Sequence, residues 1–420
     1  MISRERIKKA IAHKDTDKLP VDFGGSFSTG IHASTLYKLR QYYSLDKPGT
    51  PVKLYEPFMG LGIIDDDLMS IIGSDVKILT TPKSAFFGFE NENWKEWKYD
   101  DGTPVLVPEF FNTDKNIDGS LFQYPQGDKK CAPCAVLPKN GYYFDAMARQ
   151  EEIDYNYLDP EDNIEEFGLI SDEEIRYIKK KVLEIYNDSE YSIFNMVSTS
   201  SFGDEAEIPG MSLKYPKGIR SFVDWYIAVK NNKDYIKRVF DYQCDIAIDN
   251  FRRIHNVAGD MIDVCSVSGT DFGTQSSLMI SIETFRNLYK PYLKKINNWI
   301  HSNTQWKTFI HSCGSIYDLM PEFIETGFDI CNPVQISANH MDPLILKKEF
   351  GKYITFWGGA INAQKTLPFG TPKEVGNELR RNIDIFSKDG GFVLANIHNL
   401  QPGIPVDNII EMIKVINEHR

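Results

Sequence analysis

The chain predicts an α/β protein built as a (β/α)8 TIM barrel that carries a small inserted antiparallel β meander. Three observations point there. Short apolar strand candidates alternate with segments of helical period along most of the 420 residues. The strand candidates number eight, marked by Val21, Val76, Ile193, Ile262, Phe309, Ile330, Thr355 and Val393, and eight strands with helical returns suit a closed barrel. No Gly-x-Gly-x-x-Gly follows any of them, which argues against a dinucleotide-binding open sheet, the competing doubly wound architecture. One domain over residues 1–420 is expected, with residues 86–140 as the insertion.

Taken in order, residues 4–13 have helical spacing, and Leu19-Pro20-Val21-Asp22-Phe23-Gly24-Gly25 reads as a first strand ending in a glycine turn. Helical segments follow near 33–43 and 64–72, then a strand over 75–79. Trp94, Trp97 and Tyr99, the turn Asp100-Asp101-Gly102, and Val105-Leu106-Val107 read as a hairpin. A second turn, Asp118-Gly119, precedes Leu121-Phe122-Gln123-Tyr124. Residues 150–168 are acidic and aperiodic, hence a loop. Ser171-x-x-Glu174 is a capping box, and a strand is expected over 191–198. Helices near 218–230 and 233–256 lead to a strand over 261–267, and the helix from Ser281 leads to the strand before His311. Alternation continues to the capping box Thr371-Pro372-Lys373-Glu374, a strand over 392–397 and a last helix over 405–418.

Charge and composition exclude several functions. The net charge of −12 argues against nucleic acid and anionic membranes, which are bound through Lys and Arg. No stretch is apolar for long enough to span a bilayer, and no apolar core follows the charges of the first six residues, so no signal peptide is read. Six unevenly spaced cysteines do not make a disulfide framework, and a reducing cytoplasm follows. Oligomerisation stays open.

The chemistry centres on Phe309-Ile310-His311-Ser312-Cys313-Gly314. Side chains alternate along a strand, so His311 and Cys313 point the same way and offer half of a zinc site. Taken alone, the pair reads equally as a core histidine beside a buried cysteine. In a barrel, residues at the C-terminal strand ends converge on one mouth, and those ends carry Asp22, Asp75, Asp271, His311, Cys313, Asn332, Gln335, Trp357, His398 and Gln401. His398 would complete a set of two nitrogens and one sulfur with a fourth position open; its alternative is a hydrogen-bonding pocket residue. Asp271, in a glycine-flanked turn, is the candidate for a substrate or proton contact. Cys131-x-x-Cys134 lacks the second pair of a zinc knuckle, and Cys244, Cys265, Cys331, Asp263 and His340 read as structural.

Several ordered motifs together resemble the uroporphyrinogen decarboxylase superfamily, most closely its corrinoid-dependent methyltransferases. They are His311-Ser312-Cys313-Gly314, Asn332-Pro333-Val334-Gln335, Phe356-Trp357-Gly358-Gly359, Phe369-Gly370-Thr371-Pro372-x-Glu374-Val375 and His398-Asn399-x-Gln401-Pro402-x-x-Pro405. The resemblance implies the barrel independently of the strand count. Methyltransferases of that superfamily hold zinc through His-x-Cys and a later Cys. The pair maps onto His311 and Cys313, and the later position falls at His398. Decarboxylases carry a His there but lack His-x-Cys, and they bind their poly-acid substrate with N-terminal arginines; here Arg40 is the only arginine between residues 7 and 148.

The resemblance therefore implies a zinc-dependent methyltransferase that moves a methyl group between a small methylated substrate or thiol and a corrinoid carried by a partner protein. Asp22, Asp271, Asn332, Gln335 and Gln401 would orient substrate, and Trp357 would form an apolar wall or a docking face. The alternative is a metal-free decarboxylase or lyase acting on a small acid, with Asp271 and His398 handling protons.

Overall fold

The computed structural model describes residues 1–197 and 202–420. Seven strands, Val76–Leu79, Ser192–Asn195, Val264–Ser268, Lys307–His311, Ile330–Asn332, Thr355–Trp357 and Phe392–Val393, pair in chain order to form one parallel sheet. Helices return the chain between most of them, among them Asp172–Asp188, Lys233–Ala258 and Pro372–Phe386. Both predicted capping boxes form, at Ser171 with Glu174 and at Thr371 with Glu374. The second strand ends at Asn195; Ser198, where it was expected to end, lies outside the described residues.

The sheet curls around a core of its own. Val76, Phe194, Val264, Phe309, Ile330, Trp357 and Val393, one from each strand, cluster together, and Ile7, Ala10 and Ile11 of the helix Ser3–Ile11 close one end of the cluster. Phe194 lies 4.7 Å from Phe309 and 5.9 Å from Trp357 between ring centroids. A second, larger core fills the space between sheet and helices. A helix or sheet face that is apolar must be covered, and a parallel sheet buried on both faces gives the near-continuous apolar strands seen here.

The eighth strand expected at Val21 is a single parallel bridge to Leu394. Residues 20–22 nevertheless lie between the first and last strands. The Asp22 amide donates to the Leu394 carbonyl at 2.8 Å, Leu394 to Pro20 at 2.9 Å, and the Asp75 amide to Val21 at 2.7 Å. Pairing stops there because the Asp22 carboxylate accepts from the Gly25 amide at 2.7 Å and Gly24 sits at φ +97°, which turns the chain away. Asp75 precedes its strand, so it lies at the end of the sheet opposite the C-terminal strand ends, not at the mouth where the sequence list had put it. There its carboxylate, fully buried, accepts from Ser3 (2.7 Å), Arg6, Arg420 (2.8 Å) and the Val21 amide (3.0 Å).

The region expected to be one meander forms two small sheets. Lys95–Lys98 and Pro104–Val107 make the predicted hairpin, but Val52–Glu56 joins it in parallel and Leu61–Gly62 pairs in turn with Val52–Glu56. The meander proper runs Thr113–Lys115, Leu121–Gln123, Ala135–Leu137 and Asp145–Ala146. No helix among the described residues is long and apolar enough to cross a membrane.

Candidate metal centre between two chambers

The Lys307–His311 strand delivers His311 to the C-terminal edge of the sheet, and Gly314 at φ +86° turns the chain immediately after Cys313. His398 arrives from the segment after Phe392–Val393 with φ +62°, a left-handed conformation that a non-glycine residue adopts at some cost. Side-chain donor atoms of His311, Cys313 and His398 all lie within 4.8 Å of one another. Cys313 Sγ stands 3.4 Å from His311 Nε2. Zinc at ordinary bond lengths in a tetrahedral site holds neighbouring N and S ligands about 3.5 Å apart, so His311 and Cys313 are spaced as two ligands of one ion would be.

The surrounding groups fix these donors. His311 Nδ1 stands 2.6 Å from Asn332 Oδ1, and an N–H there leaves Nε2 as the free lone pair. Asn332 is itself held by Ser28 Oγ, which donates at 2.9 Å, and by the Trp357 carbonyl, which accepts from its Nδ2 at 2.7 Å. The Cys313 amide donates to Asp271 Oδ1 at 2.6 Å, and the Gly314 amide to Gln335 Oε1 at 2.8 Å. Burial, with Asp271 and Glu205 nearby, pushes the Cys313 thiol well above its usual range, so its thiolate calls for a cation. Burial and the neighbouring His311 pull His398 down to about 4, which keeps the imidazole neutral and able to ligate.

Two cavities meet at this triad. One, of about 200 Å³, is lined by His311 and His398 together with Asp204, Glu205, Glu207 and Asp271, and by the apolar Phe27, Met59 and Phe86. Among the described residues that line it there is no lysine or arginine. Burial lifts Asp204 to about 6 and Glu205 to about 7, although the Tyr226 hydroxyl donates to Glu205 and works against the rise. The other cavity, of about 450 Å³, is lined by Cys313, His398, Gln335 and Gln401, among others, and by no charged side chain.

The structure thus gathers His311, Cys313, His398 and Asp271 around one point, with Gln335 and Gln401 along the uncharged chamber. Asn332 sits behind His311, fully buried. Asp22 and Trp357 line neither chamber. They meet inside the curled sheet, where the indole Nε1 donates to Asp22 Oδ2 at 2.8 Å and burial raises that carboxyl to about 6. Trp357 has no exposed surface, which removes the docking face the sequence suggested for it. Cys131, Cys134, Cys244, Cys265 and Cys331 are buried free thiols, and Asp263 bonds Ser192 Oγ and Lys8. Sequence reasoning missed Asp204, Glu205, Asn396 and Asn399. The first two follow a strand in the polar loop after Phe202, a position that in parallel α/β proteins commonly faces the site.

A parallel α/β sheet thus presents at its C-terminal edge an N/N/S donor triad that could hold a metal ion. Residues 215–419 match the family model described as Uroporphyrinogen decarboxylase (URO-D). No curated protein matches the chain. A solved structure described as a methyltransferase from Methanosarcina mazei has the same fold at a TM-score of 0.54 and 13% sequence identity, covering 100% of this chain and 99% of that one.

Proposed function

We propose that the protein is a zinc-dependent methyltransferase of the uroporphyrinogen decarboxylase superfamily, transferring a methyl group between a small methylated substrate or thiol and a corrinoid held by a partner protein. We read its sheet as a (β/α)8-type barrel with residues 20–22 in the eighth strand's place, its 52–146 sheets as insertions in one domain, and its free cysteines as those of a cytoplasmic protein. The observation that carries the activity is the convergence of His311, Cys313 and His398 within 4.8 Å. The fold shared with the Methanosarcina methyltransferase supports it.

Zinc held there would polarise a methyl-bearing heteroatom or keep an acceptor thiol as its thiolate. The chain's own groups do the rest. Asn332 holds His311 in the tautomer that ligates, Asp271 pins the Cys313 backbone, and Gln335 fixes the turn at Gly314. The rival reading, a decarboxylase or lyase acting on a small acid, meets a physical obstacle: among the described residues that line the acidic chamber there is no lysine or arginine to pair with a substrate carboxylate.

Protein purified without added metal is expected to carry one zinc per chain and to methylate or demethylate a corrinoid protein. Zinc below about 0.2 equivalents would count decisively against the reading, because sites of this kind bind tightly. Asn332→Leu is expected to weaken zinc binding by about 10–100-fold through loss of the His311 partner, measured by chelator competition; unchanged affinity would show that Asn332 does not orient the ligand.

A further inference from the structure

The uncharged chamber on the Cys313 side carries an anomaly that the metal centre does not explain. Asn399 is 5% exposed and lines this cavity, yet neither its Oδ1 nor its Nδ2 has a hydrogen-bond partner. Asn396, 1% exposed, gives its Nδ2 to the His398 carbonyl and leaves Oδ1 unpaired. Gln401 Oε1 is likewise buried and unpaired. Buried polar atoms are nearly always satisfied, and leaving one unsatisfied destabilises the fold. Three side chains of residues that line one 450 Å³ cavity thus hold four such atoms, three acceptors and one donor, just behind its surface.

We infer that this chamber is a binding site for a neutral small molecule bearing a carboxamide on an apolar or aromatic frame, with Asn399 as its principal contact. A carboxamide facing Asn399 forms a reciprocal pair, its N–H donating to Oδ1 while its oxygen accepts from Nδ2. Asn396 Oδ1 and Gln401 Oε1 remain to accept the second N–H. The frame is selected by Leu367, Phe369, Ile397 and Ile404 on the same wall. Net charge is selected against at Asn399, because among the described residues no Lys, Arg, Asp or Glu lines the cavity and a carboxylate or ammonium paired with that amide would be desolvated with no charged side chain beside it. None of this requires the metal or the methyl transfer.

Nicotinamide and nicotinate share one frame and differ in amide against carboxylate, so they serve as the probes. In ligand-observed NMR with the full chain, nicotinamide is expected to bind at least tenfold more tightly than nicotinate. Asn399→Leu is expected to weaken nicotinamide at least tenfold, to leave zinc content unchanged, and to raise the thermal midpoint because a buried unpaired amide is gone. Equal binding of the two probes, or no binding of nicotinamide to the unmutated protein, overturns the inference without any variant having to fold. Undiminished binding to Asn399→Leu, or a midpoint that falls, overturns it too, by making Asn399 a structural residue. Loss of zinc from the unmutated protein bears only on the proposed activity.

Discussion

Cys313→Ala is expected to empty the metal centre, and His311→Ala to do the same, each taking bound zinc from about one equivalent to below about 0.1. Methyl transfer is expected to fall with it by more than about a hundredfold, beyond the loss typical of a supporting residue. The reasoning is geometric. Two of three donors come from one strand end, 3.4 Å apart, and removing either leaves a pair that no longer encloses an ion. Both side chains are only partly buried, so the fold is expected to survive, and circular dichroism provides the control. A variant that folds and keeps full zinc occupancy would show that the ligands are misassigned.

Asp75→Ala is expected to destabilise the protein by about 3–5 kcal/mol, the range for removing one partner from a buried ion pair. Its carboxylate sits with no exposed surface between Arg6 of the first helix and Arg420 at the far end of the chain, and it also accepts from the Val21 amide beside the sheet's seam. Removal leaves the Arg420 guanidinium, 13% exposed, without a carboxylate partner among the described residues, and leaves Arg6, 5% exposed, with Asp17 as its remaining anion. Urea unfolding measures the loss. A change below about 1 kcal/mol would mean that water reaches the site and replaces the carboxylate at little cost.

Much of the strand–helix alternation was legible because both faces of the sheet are covered, and strands of that kind read as uninterrupted apolar runs. Phe309-Ile310 and Ile330-Cys331 are such runs. Both capping boxes were legible because they are local chemistry over four residues. Val21 misled in the other direction: its apolar neighbours resemble a strand, but the turn made by Asp22 and Gly24 acts after one bridge. The Val52–Glu56 strand was overlooked although Val52 and Leu54 point inward and Lys53 outward, a short alternation that helical neighbours obscured.

At the site, spacing was enough for His311 and Cys313, whereas His398 depended on assuming that distant strands share a mouth. Asp22 and Trp357 show the limit of that assumption. Position at a strand end says which end of the sheet a residue occupies, and whether it then faces a cavity or the interior depends on strand tilt and on partners far along the chain. The Asp22–Trp357 contact spans 335 positions. The unpaired amides of Asn396 and Asn399 left no trace in the sequence, because an asparagine beside a turn is ordinary.

Among the described residues the two cavities have a single lining residue in common, His398. One imidazole is thus a party wall between an acidic room and a neutral one. Molecules lodged on its two sides do not compete for volume, so filling either leaves the other free to receive its own guest across the same ring.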